Sequence, residues 1–192
     1  MKLRHGFKSQ SEKRSVEIRR KLGLREIDPL LSTDLALDMG VMLRSALEIP
    51  DLSDADLKQL TKTDPDSWSA FTLRKGNKHL IVYNTAQSTP RVNSVVMHEL
   101  AHITLGHQLA DVLSSDEGHL IVSHYNQEQE SEADWLGSTL LLPRPALLWM
   151  RKNKMTEINA AKHFKVSSSM LSWRIKMTGI DHQLSNRRKK YG

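Results

Sequence analysis

Apolar residues recur along this chain at two different spacings, and the change of period marks out its elements. Val92, Val95, Val96, Leu100 and Ile103 lie on one stripe at helical spacing, behind Thr89-Pro90, which supplies an N-cap and a first-turn proline. A second helical stripe holds Trp135, Leu136, Leu140 and Leu141. Upstream of both, residues 68–73 and 79–83 are β-rich runs joined by Arg74-Lys75-Gly76-Asn77-Lys78, the signature of a hairpin. Near the start, Ser9-Gln10-Ser11-Glu12 reads as a capping box opening a helix to about Leu22, with Gly23 as its stop. Its apolar face is narrow, around Val16 and Leu22, so it packs by one stripe or stands as an arm. Asp28-Pro29 opens another helical stretch through Leu35 and Leu37 that halts at Gly40, and Val41-Met42-Leu43 reads as a short strand. Residues 53–60, with a Ser cap and Asp54 and Asp56 early, read as a short helix.

After Pro143 the pattern becomes helical again. Residues 145–150 form a short helix, and residues 156–164 and 167–177 form two more around a tight turn at Lys165-Val166-Ser167. Ile158, Ala161, Phe164, Val166, Leu171 and Ile175 face inward in this reading, with Trp149 and Trp173 as packing residues. The pair resembles a helix-turn-helix, and Ser168, Ser169, Ser172 and Arg174 would be the exposed face of its second helix. It would either contact DNA, dock a protein substrate, or cap the core as a helical hairpin.

With 192 residues the chain is one domain, or one domain with a small appendage. It has no cysteine, which excludes a disulfide framework and a thiolate metal site and suits a reducing compartment. No apolar run approaches the roughly 20 residues of a membrane span, and no signal-peptide core is present, so the expected location is the cytoplasm, with no membrane partner. The formal net charge of +6 hints at an acidic partner such as nucleic acid. Lys and Arg concentrate toward the two ends, however, and the stretch from Asp111 to Asp134 has acids but no Lys or Arg. An acidic middle favours a basic polypeptide over a nucleic acid.

The chemistry sits on the first stripe. His98 and His102 are four residues apart in His98-Glu99-Leu100-Ala101-His102, so on a helix both imidazoles share a face and can bind one metal ion. Zn²⁺ held by neutral imidazoles with an open position brings the pKa of its water to about 7, and Glu99 sits where it can act as general base and then acid. A third ligand is needed. The zinc class that takes a third histidine is excluded, because Leu105 and Gln108 stand at its glycine and ligand positions, and His107 is one residue out of register. The other large class takes a glutamate from a second helix. Glu130 and Asp134 form an i, i+4 pair there, which assigns Glu130 as third ligand and Asp134 as the partner that orients His98, with Glu128 as a rival ligand and Glu132 as a solvated charge.

Taken together, His98-Glu99-Leu100-Ala101-His102, then Glu130-Ser131-Glu132-Ala133-Asp134, then Leu140-Leu141-Leu142-Pro143 resemble the ImmA/IrrE-type metallopeptidases. Asp134 stands where many members have Asn. The resemblance implies a cytoplasmic, phage- or stress-linked bacterial zinc endopeptidase of limited specificity, whose substrate is a helix-turn-helix repressor or an antitoxin-like regulator. The alternative is a DNA-associated regulator or toxin partner with a structural or silent metal site. The expected fold is α+β, a mostly helical zincin-like core with a small antiparallel sheet and a C-terminal helical hairpin. The expected segments are residues 1–25, a basic helix or arm; 26–150, the metallopeptidase core; 151–180, the helix-turn-helix-like segment; and 181–192, a disordered basic tail. If the second strand of the hairpin is an edge, it would hold substrate in extended form by backbone pairing. His79 on it reads as a surface histidine. The long segment from Gly106 to Asn126 is a candidate lid, and His124 or Tyr125 within it is a candidate oxyanion donor.

Overall fold

The structure, a computed structural model, describes residues 3–49, 58, 62–63, 68–108, 111–114, 120–123 and 126–191. In chain order its elements are helix α1 (Phe7–Lys21), helix α2 (Ser32–Asp38), strand β1 (Met42–Ser45), a 3-10 turn (Ala46–Glu48), strands β2 (Ala70–Lys75) and β3 (Lys78–Tyr83), helix α3 (Thr89–Leu105), strands β4 (Asp111–Ser114) and β5 (Leu120–Ser123), and helices α4 (Gln127–Leu141), α5 (Arg144–Lys152), α6 (Glu157–Phe164), α7 (Ser168–Thr178) and α8 (Ile180–Tyr191). This is an α+β fold in which helices predominate. The helix expected over residues 53–60 lies outside the described residues.

Helices α3 and α4 cross at the centre and make the most extensive contact in the molecule. Their approach depends on small side chains. Gly137 presents no Cβ where one would lie 3.3 Å from the Cα of His98 and from the carbonyl oxygen of Met97, and Ala101 and Ala133 are fully buried nearby. Met97, Leu100, Leu136 and Leu140 fill the seam. The buried stripe of α3 is therefore rotated from the expected one: Val96 and Leu100 are inside, joined by Asn93, Met97 and Ala101, whereas Val92, Val95 and Ile103 are half-buried.

Helix α1 packs on α4 through a stripe the apolar pattern did not contain. It starts at Phe7 after Gly6, and its buried residues are Phe7, Ser11, Ser15 and Arg19, an i, i+4 series. Ser9 therefore lies inside the helix and does not cap it, and the Ser11 hydroxyl donates to the Phe7 carbonyl at 2.9 Å. The small serines let α1 come close to α4, and Arg19 then reaches the C-terminal end of α4. The last carbonyls of any helix lack partners within it. Here Ser15 Oγ donates to Thr139 O at 3.1 Å, Arg19 Nη2 to Leu140 O at 2.6 Å, and Arg174 Nε and Nη2 to Leu142 O at 3.1 and 3.0 Å. Two buried cations thus close the negative end of the helix dipole. Arg174 also pairs with Glu12 of α1 at 2.9 Å.

The sheet is mixed rather than antiparallel. Its order is β1-β3-β2, with β2 and β3 an antiparallel hairpin and β1 parallel to β3 in the register Met42↔Leu80 to Ser45↔Tyr83. The long connection between β1 and β2 permits this, since parallel pairing needs a crossover and a tight turn cannot supply one. A second, two-stranded antiparallel pair, β4 and β5, lies in the segment from Gly106 to Asn126.

The C-terminal pair α6 and α7 has the expected turn, with Lys165 in the left-handed conformation and Ala161, Phe164, Val166, Leu171 and Ile175 buried. Two expectations fail. Ile158 is 77% exposed, because an eight-residue helix buries only one face and here that face is Ala160, Ala161 and Phe164. Arg174, expected on the outer face of α7, is fully buried against Leu142 and Glu12. Trp149 packs beside His163 and Phe164, and Trp173 against Trp135. The tail expected to be disordered from 181 continues as α8, anchored by buried Ile180 and by Arg151, which makes two bonds to Asp181.

Candidate metal centre

Each histidine of the centre is placed by the α3 helix and oriented by a different neighbour. His98 Nε2 and His102 Nε2 are 3.0 Å apart, and Glu130 lies 3.2 Å from the first and 3.4 Å from the second. These three residues are the single group of histidine and acidic side chains among the described residues whose donor atoms converge within 4.8 Å. The edge of a tetrahedron with bonds of roughly 2.0–2.1 Å is about 3.3 Å, so the donor set fits a zinc-sized ion with a fourth position left open. Asn126 caps α4 by accepting from the amides of Glu128 and Gln129, which fixes the turn that carries Glu130. Glu128 is exposed and outside this group.

On the far side of His98, Asp134 Oδ1 lies 3.0 Å from Nδ1. A carboxylate only accepts, so it holds the Nδ1 proton and leaves Nε2 facing His102 and Glu130. Burial opposes charge on His98, but the bonds to Asp134 and Glu130 and the charge of Glu99 outweigh it and raise the ring to about 10 in the metal-free protein. Glu130, bonded by His102 and His98, is held well below the ordinary carboxylate range. A cation shared by these groups would replace the proton they now share.

Glu99 projects from α3 beside the ligands, and the hydroxyl of Thr72 on β2 donates to its Oε2 at 2.5 Å. Thr72 is buried and was invisible as a functional residue, since only the pairing of hairpin to helix brings it there. The strand expectation needs correction as well. Among the described residues β3 is central, and β2 is the edge strand that meets the centre through Thr72. His79 on β3 is half-buried and is not part of the donor group. An open cleft of about 290 Å³ runs beside the centre past Ser69, Ala70, Arg91 and Met170, and continues toward Ser167, Ser169 and Trp173 at the start of α7. His124 and Tyr125, the candidate oxyanion donors, lie outside the described residues.

Two further residues join the centre. Gly106 adopts a left-handed conformation, φ 66°, and lets the chain fold back over the end of α3, so that His107 N–H donates to His102 O at 3.0 Å. His107 Nδ1 then lies 3.0 Å from His102 Nδ1, and its Nε2 lies 3.2 Å from Glu132 Oε2. Burial pushes His107 below its ordinary value. Glu132 is therefore not a solvated charge: it is 14% exposed and also pairs with Arg4 at 2.9 Å. A signal was present in sequence, His107 one residue past a helix-stopping glycine, but its partner could not be read from spacing.

Among the described residues no helix is long and apolar enough to cross a membrane. In fold the chain is similar to a Mycobacterium tuberculosis transcriptional regulator, with a TM-score of 0.53 at 14% identity, over 90% of this chain and 47% of that one. The chain thus spans about half the length of that neighbour. No curated protein matches it in sequence. The IrrE N-terminal-like domain of the Peptidase_M78 family matches residues 51–176, a span that holds His98, Glu99, His102, Glu130 and Asp134. By that match over most of its length, with a convergent His, His, Glu donor set inside it, the chain belongs to the Peptidase_M78 metallopeptidase family.

Proposed function

We propose that the protein is a zinc-dependent endopeptidase of limited specificity that acts in the bacterial cytoplasm on a helix-turn-helix repressor or antitoxin-like regulator. The observation that carries this reading is the convergence of His98, His102 and Glu130 with the carboxylate of Glu99, held by Thr72, at their side. Zinc, when bound by these three residues, supplies a Lewis acid that makes water a nucleophile near neutral pH and polarises the scissile carbonyl. The residues of the chain do the rest. Glu99 takes a proton from the attacking water and returns it to the leaving nitrogen. Thr72 holds that carboxylate in one orientation. The outer edge of β2 would offer backbone groups to an extended peptide, which suits a substrate chosen by docking rather than by the residues beside the cut.

A second reading, a DNA-associated regulator that works through α6 and α7, is favoured by one observation, that the neighbour similar in fold is a transcriptional regulator. Against it, the start of α7 lines the cleft and Arg174 is buried, so the face that would read DNA is partly spent on the peptidase side. Zinc content of the wild type and Glu130→Ala, with cleavage of candidate repressors by wild type and Glu99→Gln, separates the two. Stoichiometric zinc lost in the first variant and cleavage lost in the second support the peptidase. Salt-dependent DNA binding that survives Glu99→Gln, in a protein that takes up no zinc, supports the regulator.

A further inference from the structure

We propose that His107 is a positioning residue of the metal centre: buried between His102 and Glu132, its ring passes the orienting hold of the Glu132 carboxylate to the ligand His102, with Arg4 as the outer anchor. The inference rests on the reading of His98, His102 and Glu130 as ligands and concerns how the second histidine is aimed.

The hydrogen-bond arithmetic leaves one arrangement. Glu132 Oε2 can only accept, so His107 Nε2 carries a proton. A neutral imidazole has one N–H, so His107 Nδ1 is then an acceptor. It faces His102 Nδ1 at 3.0 Å, and two acceptors do not approach so closely without a proton between them, so His102 Nδ1 is the donor. That leaves His102 Nε2, which faces His98 and Glu130, as the nitrogen available to a metal ion. Asp134 does the same for His98 in one step, at 3.0 Å from Nδ1.

The extra step has a physical reason. Glu99, Glu130 and Asp134 already place three carboxylates around the two histidines, and a fourth in contact with His102 would repel them. A neutral ring between His102 and Glu132 transmits direction without bringing that charge into contact. Arg4, 2.9 Å from Glu132 Oε1, balances the outer carboxylate, and its guanidinium lies 5.1 Å from the centre of the Phe7 ring, which ties it to the first turn of α1. The His107 side chain is only 6% exposed.

The test is zinc affinity of the full chain, measured by competition with a chromophoric chelator, for wild type, His107→Ala, His107→Gln and His107→Asn. Loss of an outer partner of a ligating histidine weakens metal binding about 10- to 100-fold, the loss expected for Ala. Asn places an acceptor oxygen near the Nδ1 position and recovers most of the affinity, whereas Gln reaches Glu132 but not His102 and remains weak. His107→Ala and His107→Gln with wild-type affinity would overturn the proposal. Nitrogen-15 NMR of zinc-loaded wild type decides the matter independently of whether a variant folds: a proton on His107 Nε2 and none on Nδ1 supports it, and the opposite tautomer sinks it. If wild type binds zinc in a Glu130-dependent way and His107→Ala binds equally well, this inference alone fails. If wild type binds no zinc, the ligand assignment fails and takes this one with it.

Discussion

Replacing Arg174 by methionine removes the guanidinium while keeping the unbranched stem, and the structure says what is lost. Arg174 Nε and Nη2 both donate to Leu142 O, and Nη2 pairs with Glu12. A buried carbonyl stripped of its donors costs about 1–3 kcal/mol. Breaking a buried ion pair outright costs about 3–5 kcal/mol, but Glu12 is 25% exposed and keeps the Arg144 N–H at 2.8 Å, so its stranded charge rehydrates and costs less. Some of the loss is returned, because burial already disfavours the charged guanidinium and pushes its pKa down. A net loss of roughly 2–4 kcal/mol follows. At about 2–4 °C per kcal/mol for a chain of this size, the melting temperature falls by about 4–16 °C. Circular dichroism melts of wild type and Arg174→Met read this directly. An unchanged melting temperature together with lost DNA binding would refute the reasoning, because it would put Arg174 on the outer face that the sequence alone suggests.

Thr72→Val keeps the shape of the β2 side chain and deletes the donor to Glu99. Turnover is expected to fall roughly 10- to 100-fold, the worth of one hydrogen bond to a charged group, with zinc content unchanged; equal turnover, or loss of zinc, would count against a role through Glu99. Zinc uptake should also release protons. His98 is raised to about 10 without metal, so at pH 7–9 its proton must leave when Nε2 is taken by the ion, and affinity should climb with pH until about 10. The stability that the protonated ring lends the metal-free fold has the same sign: it is whole below the ordinary 6.5 and fades as pH rises to about 10. Calorimetric titration in buffers of differing ionisation enthalpy measures the released protons, and a count near zero would show that His98 is already neutral.

What could be read from the sequence was what repeats locally. His98 and His102 on one helix, and Glu130 and Asp134 on another, are i, i+4 relations, and helical geometry alone puts each pair on one face. What could not be read depends on which elements meet. Thr72 reaches Glu99 only because β2 docks beside α3, Glu132 finds His107 only because Gly106 folds the chain back, and it finds Arg4 only because α1 packs on α4. The buried stripe of α1 escaped the apolar pattern because it is built of serines and an arginine whose value lies in the carbonyls they meet. β1 looked like a strand in isolation, but its parallel partner is fixed by tertiary packing and left no local mark.

That parallel pairing also sets an order of events in folding. The β2–β3 hairpin closes over Gly76 and Asn77 alone, whereas β1 meets β3 only after residues 46–77 have been looped out. The difference in closure entropy is roughly 2–3 kcal/mol, so β1 docks after the hairpin and is the first strand to detach. Because Thr72 and the cleft lie at the β2 edge, on the other side of β3, opening of β1 leaves the centre standing. Amide exchange along Met42–Ser45 should therefore outpace that of the hairpin, with Thr72 still bonded to Glu99.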